Sequence, residues 1–187
     1  GKHFYLKDKE GQDWLVPLSA LPVKGKHNLL NVLFASLAAL DEGCSRQQIE
    51  EGLKTFSAVN HRMEEVAEIE GVKFINDSKA TNVEAVYYAL EGVLDASIKG
   101  KGDRKKGEKA PHIIWIAGGI DKGNKYEKLE PVLGQVKLLI AMGKDNAKLS
   151  DFFASKLPGY AETQDMEEAV KTAFQNYVAW VILRFAY

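Results

Sequence analysis

The sequence has a single cysteine, Cys44, so no intrachain disulfide can form, and a reducing compartment is the expectation. No apolar run approaches the roughly 18 residues that crossing a bilayer needs. The first residues, Gly1-Lys2-His3-Phe4, lack the apolar stretch of a secretory signal. Neither sign of charge is in excess: 25 Lys and Arg stand against 26 Asp and Glu, a formal net charge of -1. That balance excludes a generic nucleic-acid or anionic-membrane binder, which presents a net basic face. There is no internal repeat, and the phosphate-binding pattern GxxxxGK[ST] is missing throughout. The expectation is a soluble, cytoplasmic, monomeric chain with no nucleic-acid or membrane partner. With 45% apolar residues among 187, it can bury one core or two small ones.

Short apolar runs at 4–7 and 14–18 flank the polar stretch Asp8-Lys9-Glu10-Gly11-Gln12, the pattern of a hairpin. Leu29, Leu30, Leu33, Leu37 and Leu40 recur at helical spacing, which predicts a well-buried helix over 28–40 closed by Gly43. Ser45, with Gln48 three residues on, forms a capping box for a second helix from Arg46 to Phe56, with Ile49, Leu53 and Phe56 inward. After this the pattern changes. Strands are predicted at 63–69 and 72–76 around a turn at Glu70-Gly71, then a helix from Thr81 to about Leu94. A strand at 113–117, a short helix at 126–133 and a buried strand at 136–142 follow. Helices at 145–157 and 166–177 and a last strand at 179–185 complete the chain. Strands alternating with helices imply an α/β layered domain with a mostly parallel sheet. The junction is expected near 68–71, giving domains 1–69 and 70–187. Residues 97–111, rich in glycine and lysine, read as a mobile loop. The six basic residues against two acids in 99–109 suit a solvated loop or a phosphate- or nucleic-acid-binding one.

Four segments can carry chemistry. Asn76-Asp77-Ser78-Lys79-Ala80-Thr81-Asn82 follows a predicted strand and opens a predicted helix. Ligands bind at the carboxyl ends of strands in open α/β sheets, and a helix N-terminus favours an anion. Lys79 adds a full positive charge there. The ordinary alternative is a cap by Ser78 or Thr81 with Asp77 and Lys79 solvated. Gly118-Gly119-Ile120-Asp121-Lys122-Gly123 has the same placement after the next predicted strand. If the two strands are neighbours, Lys79 and Lys122 face one cleft and imply a carboxylate or phosphate ligand. Asn28 and Asn31, three apart on a helix, share one face and can read a purine edge, or Asn28 simply caps the helix. His27 beside them is a structural histidine or a ligand. Arg62, in His61-Arg62-Met63-Glu64, suits a phosphate because its planar fork binds two oxygens; a salt bridge to Glu64 or Asp77 is the competing use.

The order GxHNxxN (25–31), HRxE (61–64), NDSKATN (76–82) and GGxDK (118–122) resembles the Mur ligase family over about residues 20–172. NDSKATN discriminates within it. Members adding L-alanine or a diamino acid carry Tyr-Ala-His-type strings there, and folylpolyglutamate synthases carry Asp-Gly-Ala-His-Asn. The resemblance implies an ATP-dependent amide ligase of peptidoglycan synthesis that adds D-glutamate to UDP-N-acetylmuramoyl-L-alanine through an acyl phosphate, with Mg²⁺ bridging the phosphates. It implies the tail of a P-loop ATPase central domain followed by a Rossmann-like C-terminal domain, incomplete at its end. Asn28, Asn31, Arg62 and Asp77 would bind nucleotide. Lys79, Thr81 and Lys122 would bind D-glutamate. Lys79 and Asp77 would be the catalytic pair. The phosphate loop, the Mg²⁺ ligands and a modified lysine would lie upstream of Gly1, so the chain alone is expected to be inactive and to hold no metal. Family members follow the last strand with a Ser-Pro-Ala-Cys-Ala-Ser-Phe-like loop, where this chain has Trp180-Val181-Ile182-Leu183-Arg184-Phe185-Ala186-Tyr187. Two other readings stay open: a standalone module for a nucleotide or acidic amino acid, and a folylpolyglutamate synthase-like ligase.

Overall fold

A computed structural model describes residues 3–7, 11–17, 21, 26–56, 59–99, 112–119, 123–176 and 182–186. They fall into two units, Gly1–Val59 and Asn60–Tyr187.

In the first unit, β1 (His3–Lys7) and β2 (Asp13–Pro17) form an antiparallel hairpin with Leu6 opposite Trp14. Period-two alternation puts Trp14 and Val16 on the buried side. They pack with Val32 of α1 (Lys26–Asp41) and Ile49 of α2 (Arg46–Thr55). The Trp14 indole N–H donates to Glu50 at 2.9 Å. α1 ends in a Schellman turn: Gly43 takes φ 91, Cys44 N–H reaches Ala39 C=O, and Gly43 N–H reaches Leu40 C=O. The Ser45–Gln48 capping box opens α2 as its sequence implies. Two burial expectations do not hold. Leu30, Leu37 and the neighbouring Phe34 of α1 are exposed, because the hairpin and α2 cover only its Leu29–Val32–Ser36–Leu40 side. Phe56, just past the end of α2, is exposed as well.

The second unit is a six-stranded sheet in the order β3-β4-β8-β5-β6-β7. β3 (Glu64–Ile69) pairs antiparallel with β4 (Val72–Asn76). β4, β8 (Ile182–Ala186), β5 (Ile113–Gly118), β6 (Val136–Met142) and β7 (Tyr160–Thr163) are mutually parallel. β5 is buried along its whole length, as an unbroken Ile-Ile-Trp-Ile-Ala run requires of a strand covered on both faces. Ile113, Trp115 and Ala117 face α3 (Val83–Lys99), a 3₁₀ turn (Tyr126–Leu129), α4 (Glu130–Leu133) and α5 (Ala147–Phe153). Ile114 and Ile116 face α6 (Met166–Gln175). The α/β layering with a mostly parallel sheet agrees with the sequence expectation.

The division between units falls at Val59/Asn60, ahead of the junction expected at 69/70. The reason is register: β3 pairs with β4 along its length and so belongs to the second sheet. α3 runs to Lys99, past the predicted Leu94 and through the first three residues of the loop expected at 97–111, whose remainder, 100–111, lies outside the described residues.

Candidate functional site

The β3–β4 hairpin turns at Glu70 (φ 51) and Gly71 (φ 77), a two-residue loop with both residues left-handed, as primed hairpin turns require. That turn sets Ile69 opposite Val72, and a bulge between Glu65 and Ala67 then shifts the register by one residue, so that Glu64 comes to lie opposite Asn76. Two motifs separated by a dozen residues of chain are thereby joined. The His61-Arg62-Met63-Glu64 turn sits against the Asn76–Ala80 loop at the carboxyl end of β4.

The joining is by hydrogen bonds. Met63 N–H donates to Asp77 Oδ1 at 3.2 Å, and Lys79 N–H donates to His61 C=O at 3.1 Å. His61 N–H donates to Glu64 Oε2 at 2.8 Å. The Asn76 side-chain amide meets His61 Nδ1 at 2.8 Å, while its Oδ1 accepts Ser78 N–H at 3.2 Å. His61, Glu64 and Asn76 carry no separate role in the sequence reading. The two-residue turn at Glu70-Gly71 is the signal that brings the two motifs near each other, but the bulge between Glu65 and Ala67 that sets Glu64 opposite Asn76 has no local signal in the sequence.

Asp77 is buried, 4% exposed. Burial raises its carboxyl from an ordinary 3.8 to about 6, against the Met63 N–H and the nearby Arg62 charge, which both lower it. Arg62 itself is exposed and, among the described residues, makes no ion pair with Glu64 or Asp77. Lys79 and Thr81 are exposed. Neither Ser78 nor Thr81 caps α3. Asn82 does, accepting Ala85 N–H at 2.8 Å, which leaves the Lys79 and Thr81 side chains uncommitted to the helix start.

At the end of β5, a Cβ on Gly118 would lie 1.8 Å from the Met142 carbonyl oxygen, so only glycine permits this approach of β5 to β6. Gly119 follows at φ 142. β4 and β5 are not neighbours, as the cleft expectation supposed. β8 lies between them and parallel to both, with Asn76 in register with Arg184 and Gly118 with Ala186. The two carboxyl ends therefore point the same way, two strand spacings or roughly 10 Å apart. Lys122 lies outside the described residues. Asn28 and Asn31 stand on α1 in the other unit, Asn28 half-buried and Asn31 exposed. The side chain of His27 lies outside the described residues. Among the described residues no group of three His, Cys, Asp or Glu side chains could hold a metal ion.

An exposed guanidinium, an exposed ammonium and a buried carboxylate at one strand end suit an anionic ligand that also offers hydrogen-bond donors. Residues 61–181 match the family described as Mur ligase, glutamate ligase domain. The chain is similar to the UDP-N-acetylmuramoylalanine–D-glutamate ligase of Christiangramia forsetii, 38% identical over 161 residues, 86% of this chain and 33% of that protein. Its fold is similar to the UDP-N-acetylmuramoylalanyl-D-glutamyl-2,6-diaminopimelate–D-alanyl-D-alanyl ligase of Acinetobacter baumannii. That likeness has a TM-score of 0.67 at 21% identity and covers 98% of this chain and 38% of the other. It is similar in fold also to a bifunctional folylpolyglutamate synthase/dihydrofolate synthase of Yersinia pestis, with a TM-score of 0.61, 17% identity, and 94% and 39% covered. The chain spans about a third of the length of the curated relatives it matches.

Proposed function

The chain belongs to the Mur ligase family, and from that membership we propose that it is the C-terminal portion of an ATP-dependent ligase that joins D-glutamate to UDP-N-acetylmuramoyl-L-alanine. The observation that carries the proposal is the junction of the Arg62 turn with the Asp77–Lys79 loop at the carboxyl end of β4. The name of the relative at 38% identity supports the choice of D-glutamate.

The proposed reaction has two steps. A carboxylate oxygen of the UDP-muramoyl substrate attacks the γ-phosphorus of ATP, and ADP leaves. The D-glutamate amine then attacks the acyl carbon, phosphate leaves with the bonding electron pair, and the amine gives up a proton. Negative charge moves through both steps, so fixed cations contribute most. In this reading Arg62 binds the ATP phosphates in its planar fork. Asp77 accepts from the ribose hydroxyls or holds the nucleotide end, and Asn28 and Asn31 read the adenine edge. Lys79, with Thr81 and Lys122, holds the D-glutamate carboxylates and orients the amine. Mg²⁺ would neutralise the phosphates, with ligands supplied by the part of the longer protein outside this chain.

The test is acceptor choice by the longer protein. Incubated with ATP, Mg²⁺ and UDP-N-acetylmuramoyl-L-alanine, it is expected to give a product heavier by one glutamate from the D-enantiomer alone. Incorporation of a diamino acid instead, or extension of a folate by L-glutamate, overturns the proposal. Nucleotide binding with no ligation of any acceptor points to a standalone binding module.

A further inference from the structure

The His61–Met63 turn is the part of the proposed site least able to hold itself. His61 (φ 64) and Met63 (φ 49) are both left-handed without being glycine, a conformation that persists only where the surroundings over-determine it. Here the surroundings come from three side chains. Glu64 Oε2 accepts the His61 N–H at 2.8 Å, and Asp77 Oδ1 accepts the Met63 N–H at 3.2 Å. Each left-handed residue thus has its N–H taken by a carboxylate. Asn76 fixes the His61 ring from the facing strand. Its Oδ1 is occupied by Ser78 N–H, so its NH₂ faces Nδ1, which accepts, and the ring proton sits on Nε2.

Glu64 stands two residues from Arg62, and its obvious partner would be that guanidinium. Among the described residues that pair is not made: the carboxylate goes to the backbone N–H of His61, and Arg62 is left exposed between the two strained residues. The structure assigns Glu64 and Asn76 as positioning residues. They hold the His61–Met63 turn so that the Arg62 guanidinium is presented beside Asp77. Neither touches substrate. Their effect reaches the nucleotide through Arg62 and leaves the amino-acid end, around Lys79 and Thr81, largely alone. This inference rests on the function proposed above.

The experiment uses the longer protein in the D-glutamate ligation assay, with Arg62→Ala as reference. Glu64→Ala is expected to raise the KM for ATP about tenfold, the scale of one lost charge-assisted turn contact. The KM for D-glutamate should stay within about twofold, and the thermal midpoint close to wild type. Glu64→Gln should restore most of the loss, because its amide oxygen still accepts the His61 N–H. Asn76→Ala, which removes the amide that faces Nδ1, should raise the KM for ATP in the same direction and serves if Glu64→Ala does not fold. An unchanged KM for ATP in both variants overturns the inference. So does an equal rise in the KM for D-glutamate, or a Glu64→Gln protein as impaired as Glu64→Ala. A wild-type protein that ligates no D-glutamate removes the proposed function and this inference with it.

Discussion

Asp77 is the one charged residue that is buried among the described residues. Burial holds its carboxyl near 6, so the folded chain keeps a proton there that the unfolded chain releases near 3.8. The contribution of Asp77 to stability is therefore greatest below about pH 4, falls as pH rises to about 6, and is level above that. The ionised group costs the fold on the order of 3 kcal/mol at neutral pH. Asp77→Asn should accordingly raise the thermal midpoint above about pH 6 and leave it unchanged below about pH 4. Equal gains at both pH values would contradict the assigned cause. A buried acid at such a cost fits the nucleotide-binding role proposed for Asp77. Lys79 presents the opposite case. It is exposed, so Lys79→Ala should leave the thermal midpoint alone while lowering ligation by the longer protein at least about a hundredfold, the usual loss when a charge-stabilising group is removed. A near-wild-type rate would remove Lys79 from the site. The residue types at this strand end are legible in the sequence, whereas their partners are not. Nothing local tells that Glu64 serves His61 and not Arg62, because that choice depends on the hairpin register.

Among the elements, those with a strong local signal match their predictions closely. The capping box at Ser45–Gln48, the unbroken apolar run of β5 and the limits of β6 are examples. β7 is missing from the sequence reading because Tyr-Ala-Glu-Thr is short and mostly half-exposed at the sheet edge, so it carries no apolar run. The central position of β8 is hidden for a different reason: α6 returns the chain across the sheet, and no local pattern encodes where a crossover lands. The expectation for α1 is a well-buried helix, but Leu30, Phe34 and Leu37, spaced four and three residues apart, form an exposed face. Within it, the Ser36 hydroxyl is buried without a hydrogen-bond partner among the described residues. Ser36→Ala should stabilise the first unit by about 1 kcal/mol, read as a higher urea midpoint, since it removes an unpaired polar group and improves helix propensity. The end of β5 is less tolerant. Gly118→Ala drives a methyl into the Met142 carbonyl and should cost about 3 kcal/mol or more, abolishing cooperative unfolding of the second unit. Gly134→Ala, with open space at the same position, should be close to neutral and is the control.

For the whole molecule, the decisive fact is extent. The chain spans about a third of the length of its curated relative, and the pattern GxxxxGK[ST] is missing from it. No helix among the described residues is long and apolar enough to cross a membrane. The 187-residue chain alone is expected to release no phosphate from ATP when given both substrates, because the phosphate cradle lies outside it. The most direct measurement is ADP release by the longer protein with UDP-N-acetylmuramoyl-L-alanine present and D-glutamate either supplied or omitted. The account predicts sustained turnover only when D-glutamate is supplied. Turnover at the same rate without it, or on L-glutamate and a folate in its place, would contradict the account.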